Sequence, residues 1–421
     1  MKTDNFFISA LKQIFQRPKN NIPALDGVRA FFILFITVFH VFFFLQYVFA
    51  ERPQYLEFIR STPTFFWWIW RSDFSADVLF FLSAFLTAQI LLSEQMKNGY
   101  LDIKNFYFKR LIRIYPLYCF AILIYVIGKG NNWQYFWANL LMVNNFMPSD
   151  KIFIPWTWTL TIEGQFYLLV PWLIPLLNRS KTWFYFMLCI VGVNLWHNYS
   201  ALIEFPILYK KTAIDLFLTK DEATAILYAN QFYVPLIARM APLAIGVYFG
   251  HLFVRYSEQF KTWATKNLWQ QRFLFLCSWL ALLWGLTYYH NYIPSTDTLF
   301  NETNHFIHYI FDRTVFTFAF AFILVSTLLN IDIAKYLNRF LSIKFWVPIA
   351  QISYSLFMFH PPFLFISIYL VSGSGQKLTS ANFYTVLAAW GIGMALCFLF
   401  SILTYTFIER PFLQWGTKFR K

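Results

Sequence analysis

Leu25-Asp26-Gly27-Val28-Arg29 opens a stretch in which the ten residues from Ala30 to Phe39 are apolar except for Thr37, and His40 follows before a further run of valine and phenylalanine. The run is long and hydrophobic enough to cross a bilayer as a helix. Eleven positions at about 100° each amount to three turns and a small remainder, so Arg29 and His40 share one helix face about 16 Å apart along the axis. One of the two then sits at the membrane surface and the other near mid-bilayer. An ionisable group inside a spanning helix is costly and marks a functional candidate.

Working outward, the 421 residues are 58% hydrophobic, 23% aromatic and only 13% charged, with a mean hydropathy of +0.49. Soluble domains carry roughly a quarter charged residues, so this composition describes a polytopic all-α membrane protein. A hydropathy window of about 19 residues predicts ten helices, near 28–49, 76–93, 111–128, 156–177, 183–197, 231–253, 273–290, 309–329, 347–371 and 383–408. Trp133 to Phe146 is too short to span and reads as re-entrant or interfacial. The net charge of +14 could suggest nucleic acid, but Lys and Arg concentrate in alternate loops, as in Lys97 to Arg113 and from Arg410 onward. That pattern assigns both termini to the cytoplasm and no nucleic-acid role. Residues 1–22 read as a cytoplasmic segment without a cleavable leader, 23–413 as one membrane domain and 414–421 as a basic cytoplasmic tail. Cys119, Cys189, Cys277 and Cys397 lack metal-ligand spacing and read as core packing residues, so no metal site is expected.

Four further constellations carry ionisable groups within apolar runs. Lys109-Arg110-Leu111-Ile112-Arg113 places Arg110 and Arg113 three apart at the start of the third helix, a pairing suited to bidentate contact with a cytosolic phosphorylated cofactor. The plainer alternative is a pair of topology-setting basic residues. Trp156 to Tyr167 buries Glu163, with Tyr167 one turn on; a lone carboxylate there needs a partner, for which Arg239 and His40 are candidates. Asp77 follows Ser75 and also reads as a helix start. His360 precedes Pro361 and Pro362, which are expected to break their helix and line a cavity shared with His40. His197, His251, His290, His305 and His308 are placed at helix ends or external loops without a catalytic role.

Six motifs in order resemble the membrane acyltransferase-3 family: Leu25 to Arg29 with His40; Asp77 to Phe85; Arg110-Leu111-Ile112-Arg113-Ile114-Tyr115-Pro116; Trp158 to Tyr167; Ser353-Tyr354-Ser355-Leu356 to His360; and Glu409-Arg410-Pro411-Phe412. The resemblance spans roughly residues 23–413 and implies a ten-helix acyltransferase domain. The chain departs from it at Ala84, where a glycine is usual, and at Gly164, where a second carboxylate is usual.

The resemblance implies an O-acetyltransferase of the cytoplasmic (inner) membrane. Acetyl-CoA would be the donor, held by Arg29, Arg110, Arg113 and Arg410, and the acceptor a hydroxyl of an extracytoplasmic glycan such as lipopolysaccharide O-antigen or exopolysaccharide. His40, Glu163, Asp77 and His360 are the expected catalytic set, with His40 as general base, oriented by Glu163, or as an acylated nucleophile. Partners would be membrane lipid and, through the pathway, glycan-assembly enzymes. Since no esterase-like segment is visible after the core, the acceptor is expected to meet the core directly. The rival from another class is a proton-coupled transporter or flippase with His40, Glu163 and His360 as relay and the prolines as gate, and a third is a scaffold. The acceptor, the acyl length and the oligomeric state are not readable from the sequence.

Overall fold

The computed structural model describes residues 6–19, 21–128, 130–177, 180–212, 222–287, 301–373 and 377–418. Over its described residues each of the ten apolar stretches is mainly helical, the ninth being shared by two consecutive helices. In chain order the main elements are α1 (Phe6–Phe15), α2 (Pro23–Phe44), α3 (Ser75–Asn98), α4 (Ile103–Ile127), α5 (Trp158–Leu176), α6 (Ser180–Glu204), α7 (Leu236–Lys266), α8 (Leu268–Leu286), α9 (Glu302–Leu328), α10 (Ala334–Leu341), α11 (Trp346–Gln351), α12 (Ser353–Ser372), α13 (Phe383–Thr404) and α14 (Arg410–Lys418). Eight helical stretches are long and apolar enough to cross a membrane. α5 and α8, at 19 residues each, are also long enough to do so at about 1.5 Å per residue. The chain is therefore a multi-pass membrane protein. Among the described residues the β structure is one isolated parallel bridge between Phe49 and Leu378. Trp133–Tyr135, Phe136–Leu140 and Asn144–Phe146 form three short helical pieces, none of which spans.

Local chemistry sets the helix ends. α2 starts with Pro23 in its first turn, where the missing N–H costs nothing. α3 ends at Gly99, whose φ of 78° is left-handed, and α12 at Gly373, with φ of 72°. The Asp102 side chain accepts from the Asn105 N–H at the start of α4, and the Asn301 side chain from the Asn304 N–H at the start of α9.

α2 is the central element. It packs on the 64–74 segment, α3, α10, α11, α12 and α13, and joins a core of α2, α4, α12 and α13 residues to another built on α3, α7, α8 and α9. Gly27 explains why a glycine follows Asp26: a Cβ there would lie 2.1 Å from the Leu341 carbonyl oxygen, at the end of α10. Asp26 accepts from Arg17 Nε at 2.8 Å and from Asn21 Nδ2 at 3.1 Å, while Arg17 Nη2 donates to the Ser342 carbonyl at 3.0 Å. The first half of the opening motif thus fastens the start of α2 and leaves its face toward Arg29 and His40 for other work.

The departure at Ala84 also has a physical reason. α3 and α7 cross closely because Gly246 and Gly250 on α7 face Ala84 and Ala88 on α3; a Cβ on either glycine would lie 2.8 Å or 2.9 Å from the facing alanine methyl. Small residues on both helices allow this approach, and the glycines sit on the partner. At Gly164 a Cβ would lie 2.6 Å from Met142 Sδ, so a methionine side chain occupies the space of the missing carboxylate.

Two expectations are corrected here. α12 runs unbroken through Pro361 and Pro362, because other groups satisfy the carbonyls the prolines leave free, as described below. The cysteines are not a set of core residues: Cys397 is buried, Cys277 half-buried, and Cys119 and Cys189 lie on the outer surface of the bundle.

Candidate active site

His40 lies deep in α2 yet remains partly accessible, and its Nδ1 is 2.7 Å from Nε2 of the buried His360 on α12. The ring centroids are 4.8 Å apart and the planes 17° from parallel, which with so short a nitrogen contact means rings meeting edge to edge. Phe44 stacks on His40 with centroids 5.3 Å apart. The two histidines are therefore in direct contact, across 320 positions of sequence.

His360 is fixed from behind. Its Nδ1 lies 2.8 Å from the Phe357 carbonyl oxygen, and Trp156 Nε1 donates to the Met358 carbonyl at 3.2 Å. Residues 357 and 358 stand four before Pro361 and Pro362, so these are the two carbonyls that the prolines cannot bond. Trp156 also packs beside His360 with centroids 6.3 Å apart.

Glu163 is placed differently from the expectation. It accepts from Ser83 Oγ at 2.5 Å and from the Tyr167 hydroxyl, and Ser83 Oγ also lies 2.6 Å from that hydroxyl. Neither Arg239 nor His40 is its partner. Arg110 covers this cluster: its guanidinium sits 4.3 Å from the Tyr167 ring centroid, Nη2 donates to Thr87 Oγ1 at 2.9 Å, and Nη1 reaches the Tyr167 hydroxyl at 3.5 Å. The motif on α5 has two polar stripes. Glu163 and Tyr167 face α3, whereas Thr157, Thr161 and Gln165 hold the short helical pieces through Asn139, Asn144 and Asn145 at 2.5–3.1 Å.

Arg29 and Arg113 have no hydrogen-bond or ion-pair partner among the described residues, and both guanidinium-bearing residues keep accessible surface. The ionisable groups near enough to act on Arg29 include Arg113, Asp26, Tyr167 and Glu163. Arg113 also faces Glu409, which the sequence reading placed in the last motif without a role and which accepts from Ser355 Oγ. Two unpaired guanidinium groups kept together repel each other, and an anion between them would remove that repulsion.

Asp77 lies elsewhere. Both its oxygens are buried against Arg239 Nη1 at 3.0 and 3.2 Å, and Oδ2 also accepts from Arg313 Nη1 at 2.5 Å. Arg313 Nη2 pairs with Asp73 at 2.5 Å and Arg71 with Asp312 at 2.6 Å, with His308 beside Asp312. This charge-balanced cluster ties α3, α7, α9 and the 64–74 segment together and does not touch His40. Ser75 does open α3 and Asp77 lies in its first turn, as the sequence suggested, but its side chain is taken up by these pairs. Asp312 and Arg313, two adjacent charges inside an apolar helix, carried the same signal as His40 and were missed.

Arg410 also departs from a donor contact. Its Nε donates to Gln13 at 2.7 Å, Nη1 to the Phe6 carbonyl at 3.0 Å and Nη2 to Ser9 at 2.7 Å, with Phe6 stacked beneath it. It clamps α1 to the end of the chain. Of the remaining histidines, His197 and His305 hydrogen-bond to the carbonyls of Gln231 and Tyr209, and His251 is buried within α7 rather than at a helix end. His290 lies outside the described residues. Among the described residues no group of histidine, cysteine, aspartate and glutamate side chains could hold a metal ion.

The fold and site describe a multi-helix membrane protein with a histidine pair between α2 and α12 and an unpaired arginine on each of α2 and α4. Residues 22–406 match the model of the acyltransferase domain of acyltransferase 3, and the chain belongs to that family. Among curated proteins it is similar to O-acetyltransferase OatA of Staphylococcus aureus, with 24% identity over 94% of this chain and 58% of the relative. Nose resistant to fluoxetine protein 6 of Caenorhabditis elegans is 23% identical over 86% of this chain and 47% of that protein. Peptidoglycan O-acetyltransferase OatA of Listeria monocytogenes is 24% identical over 38% of this chain. The chain thus spans little more than half the length of its Staphylococcus relatives. No solved structure matches.

Proposed function

We propose that this protein is a membrane O-acetyltransferase that moves an acetyl group from cytoplasmic acetyl-CoA to a hydroxyl of a cell-surface or lipid-linked glycan. The observation that carries the reading is the face of α2: a partly accessible His40 about 16 Å along the helix from an Arg29 that, like Arg113, has no partner. A CoA phosphate held between Arg29 and Arg113 leaves an extended pantetheine arm long enough to bring the thioester to His40. Arg110, engaged with Thr87 and Tyr167, shapes the wall of this path rather than offering a free fork. The Ser83, Glu163 and Tyr167 cluster lies along the same wall.

In the reaction, His40 takes the proton of the acceptor hydroxyl as that oxygen bonds to the acyl carbon. The thioester C–S bond then breaks, and the CoA thiolate leaves with the proton returned by His40. An acceptor entering from the side opposite the donor meets the acyl group at mid-membrane. The names of the OatA relatives support an O-acetyl product, and the carbohydrate acceptor rests on the same likeness. The transporter alternative drew on a proline-broken gate, and α12 has no such break.

The test is purified protein in nanodiscs with acetyl-labelled acetyl-CoA and a membrane-glycan extract. Label entering carbohydrate only when the protein is present is the expected result. Folded protein that binds CoA yet transfers no label to water, hydroxylamine or any glycan fraction would overturn the reading.

A further inference from the structure

The two prolines after His360 fix more than the course of α12. Pro361 and Pro362 leave the Phe357 and Met358 carbonyls without their helical donors. Trp156 Nε1 donates to the second, and His360 Nδ1 lies 2.8 Å from the first. A carbonyl oxygen only accepts, so His360 Nδ1 must carry the hydrogen. A neutral imidazole has one donor and one acceptor nitrogen, which makes His360 Nε2 an acceptor. Its neighbour at 2.7 Å is His40 Nδ1, and that contact is a hydrogen bond only if His40 Nδ1 carries the hydrogen. The unprotonated nitrogen of His40 is then Nε2, the ring atom pointing away from His360.

We infer that His360 is a positioning residue that sets the tautomer of His40, through a chain running from the Phe357 carbonyl to His360 Nδ1–H, from His360 Nε2 to His40 Nδ1–H, and ending at a basic His40 Nε2. The chain contains no carboxylate. A backbone carbonyl freed by proline does the orienting that an aspartate performs in a serine–histidine–aspartate triad. In acyl transfer the acceptor proton moves to His40 Nε2 and from there to the departing thiolate, while the hydrogens on His40 Nδ1 and His360 Nδ1 stay in place. The inference rests on the acyltransferase reading for its consequence in rate, but not for the tautomer itself.

Two substitutions separate positioning from packing, because each keeps one end of the imidazole. A glutamine carbonyl reaches the place of His360 Nε2 and can accept from His40 Nδ1–H; an asparagine amide reaches only the place of Nδ1 and can donate to the Phe357 carbonyl. His360→Gln is expected to keep transfer within roughly tenfold of wild type, and His360→Asn and His360→Ala to lose roughly 10²–10⁴-fold in kcat. KM for acetyl-CoA should be unchanged in all three. Rescue by asparagine and not by glutamine would show that filling the gap before Pro361 is what matters and would overturn the inference.

The second readout needs no activity, and it uses a variant only to assign the signal. Nitrogen NMR of histidine-labelled wild type in nanodiscs, with His40 assigned by its loss in His40→Ala, is expected to show His40 neutral with the hydrogen on Nδ1. The hydrogen on Nε2 would overturn the inference even if wild type transfers acetyl. Absence of any transfer with the Nδ1 tautomer observed would count against the acyltransferase reading alone.

Discussion

Two of the polar clusters in this bundle are built on opposite plans. Around Asp77, three aspartates meet three arginines: Asp73 and Asp77 with Arg313, Asp77 with Arg239, and Asp312 with Arg71. Between α2, α12 and α4, by contrast, His40 meets a second imidazole, and Arg29 and Arg113 form no hydrogen bond or ion pair among the described residues. Buried charge is tolerated when paired, and a balanced cluster joining α3, α7 and α9 serves to hold helices in register. Charge left unpaired and accessible holds no helices together and is free to meet an anion, as the proposed donor site requires. The same signal in the sequence, an ionisable residue in an apolar run, therefore marks architecture in one place and chemistry in the other, and only the partners tell which.

The largest expected effect falls on the chemical cluster. His40→Ala should lower transfer by roughly 10²–10⁴-fold while acetyl-CoA binding, measured by calorimetry in nanodiscs, stays at the wild-type level. If the variant lost binding as well, His40 would belong to the donor site rather than to the proton path. The architectural cluster should respond in the opposite currency of observables. Asp77→Ala leaves Arg239 and Arg313 facing each other inside the bundle and should cost about 3–5 kcal/mol of stability, read as a lowered melting temperature and loss of monodisperse protein. A variant that remained stable but inactive would move Asp77 back into the active site.

Smaller effects sharpen the boundary between the two plans. Arg29→Ala and Arg113→Ala should each weaken acetyl-CoA binding by roughly 10–100-fold, as expected for the loss of a charged hydrogen bond. Arg113→Lys should recover part of the affinity because the charge remains and the fork does not. Unchanged affinity in the double alanine variant would remove the phosphate assignment. Arg410→Ala should change donor affinity least among these arginines. It should instead free α1, seen as faster proteolysis between Phe15 and Pro23, because the side chain binds Phe6, Ser9 and Gln13.

Much of the fold was legible because hydropathy is a local property. The opening run of α2, the ten helices and the failure of Trp133 to Phe146 to span all follow from windows shorter than 25 residues. The site was legible only in its members. His40 and His360 stand out in their own segments, but the contact between them joins positions 320 apart, and nothing local encodes it. Glu163 shows the cost of this. Its depth in α5 was readable, whereas its partner Ser83 is an unremarkable serine on α3, so the sequence favoured the more conspicuous Arg239 and His40. Arg410 misled for a related reason, since the amphipathic α1 that occupies it gives no sign in sequence of folding back onto the far end of the chain. At the prolines after His360 a break was expected, whereas a histidine and a tryptophan meet the two carbonyls that the prolines leave free.

The most direct test of the central claim is single-turnover acetyl transfer from acetyl-CoA to a glycan acceptor in nanodiscs, with wild type and His40→Ala compared at saturating donor. The account predicts transfer by wild type and a rate at least a hundredfold lower in the variant, with donor occupancy the same in both. Equal rates would contradict it, because no other group in the interior of α2 can take the acceptor proton.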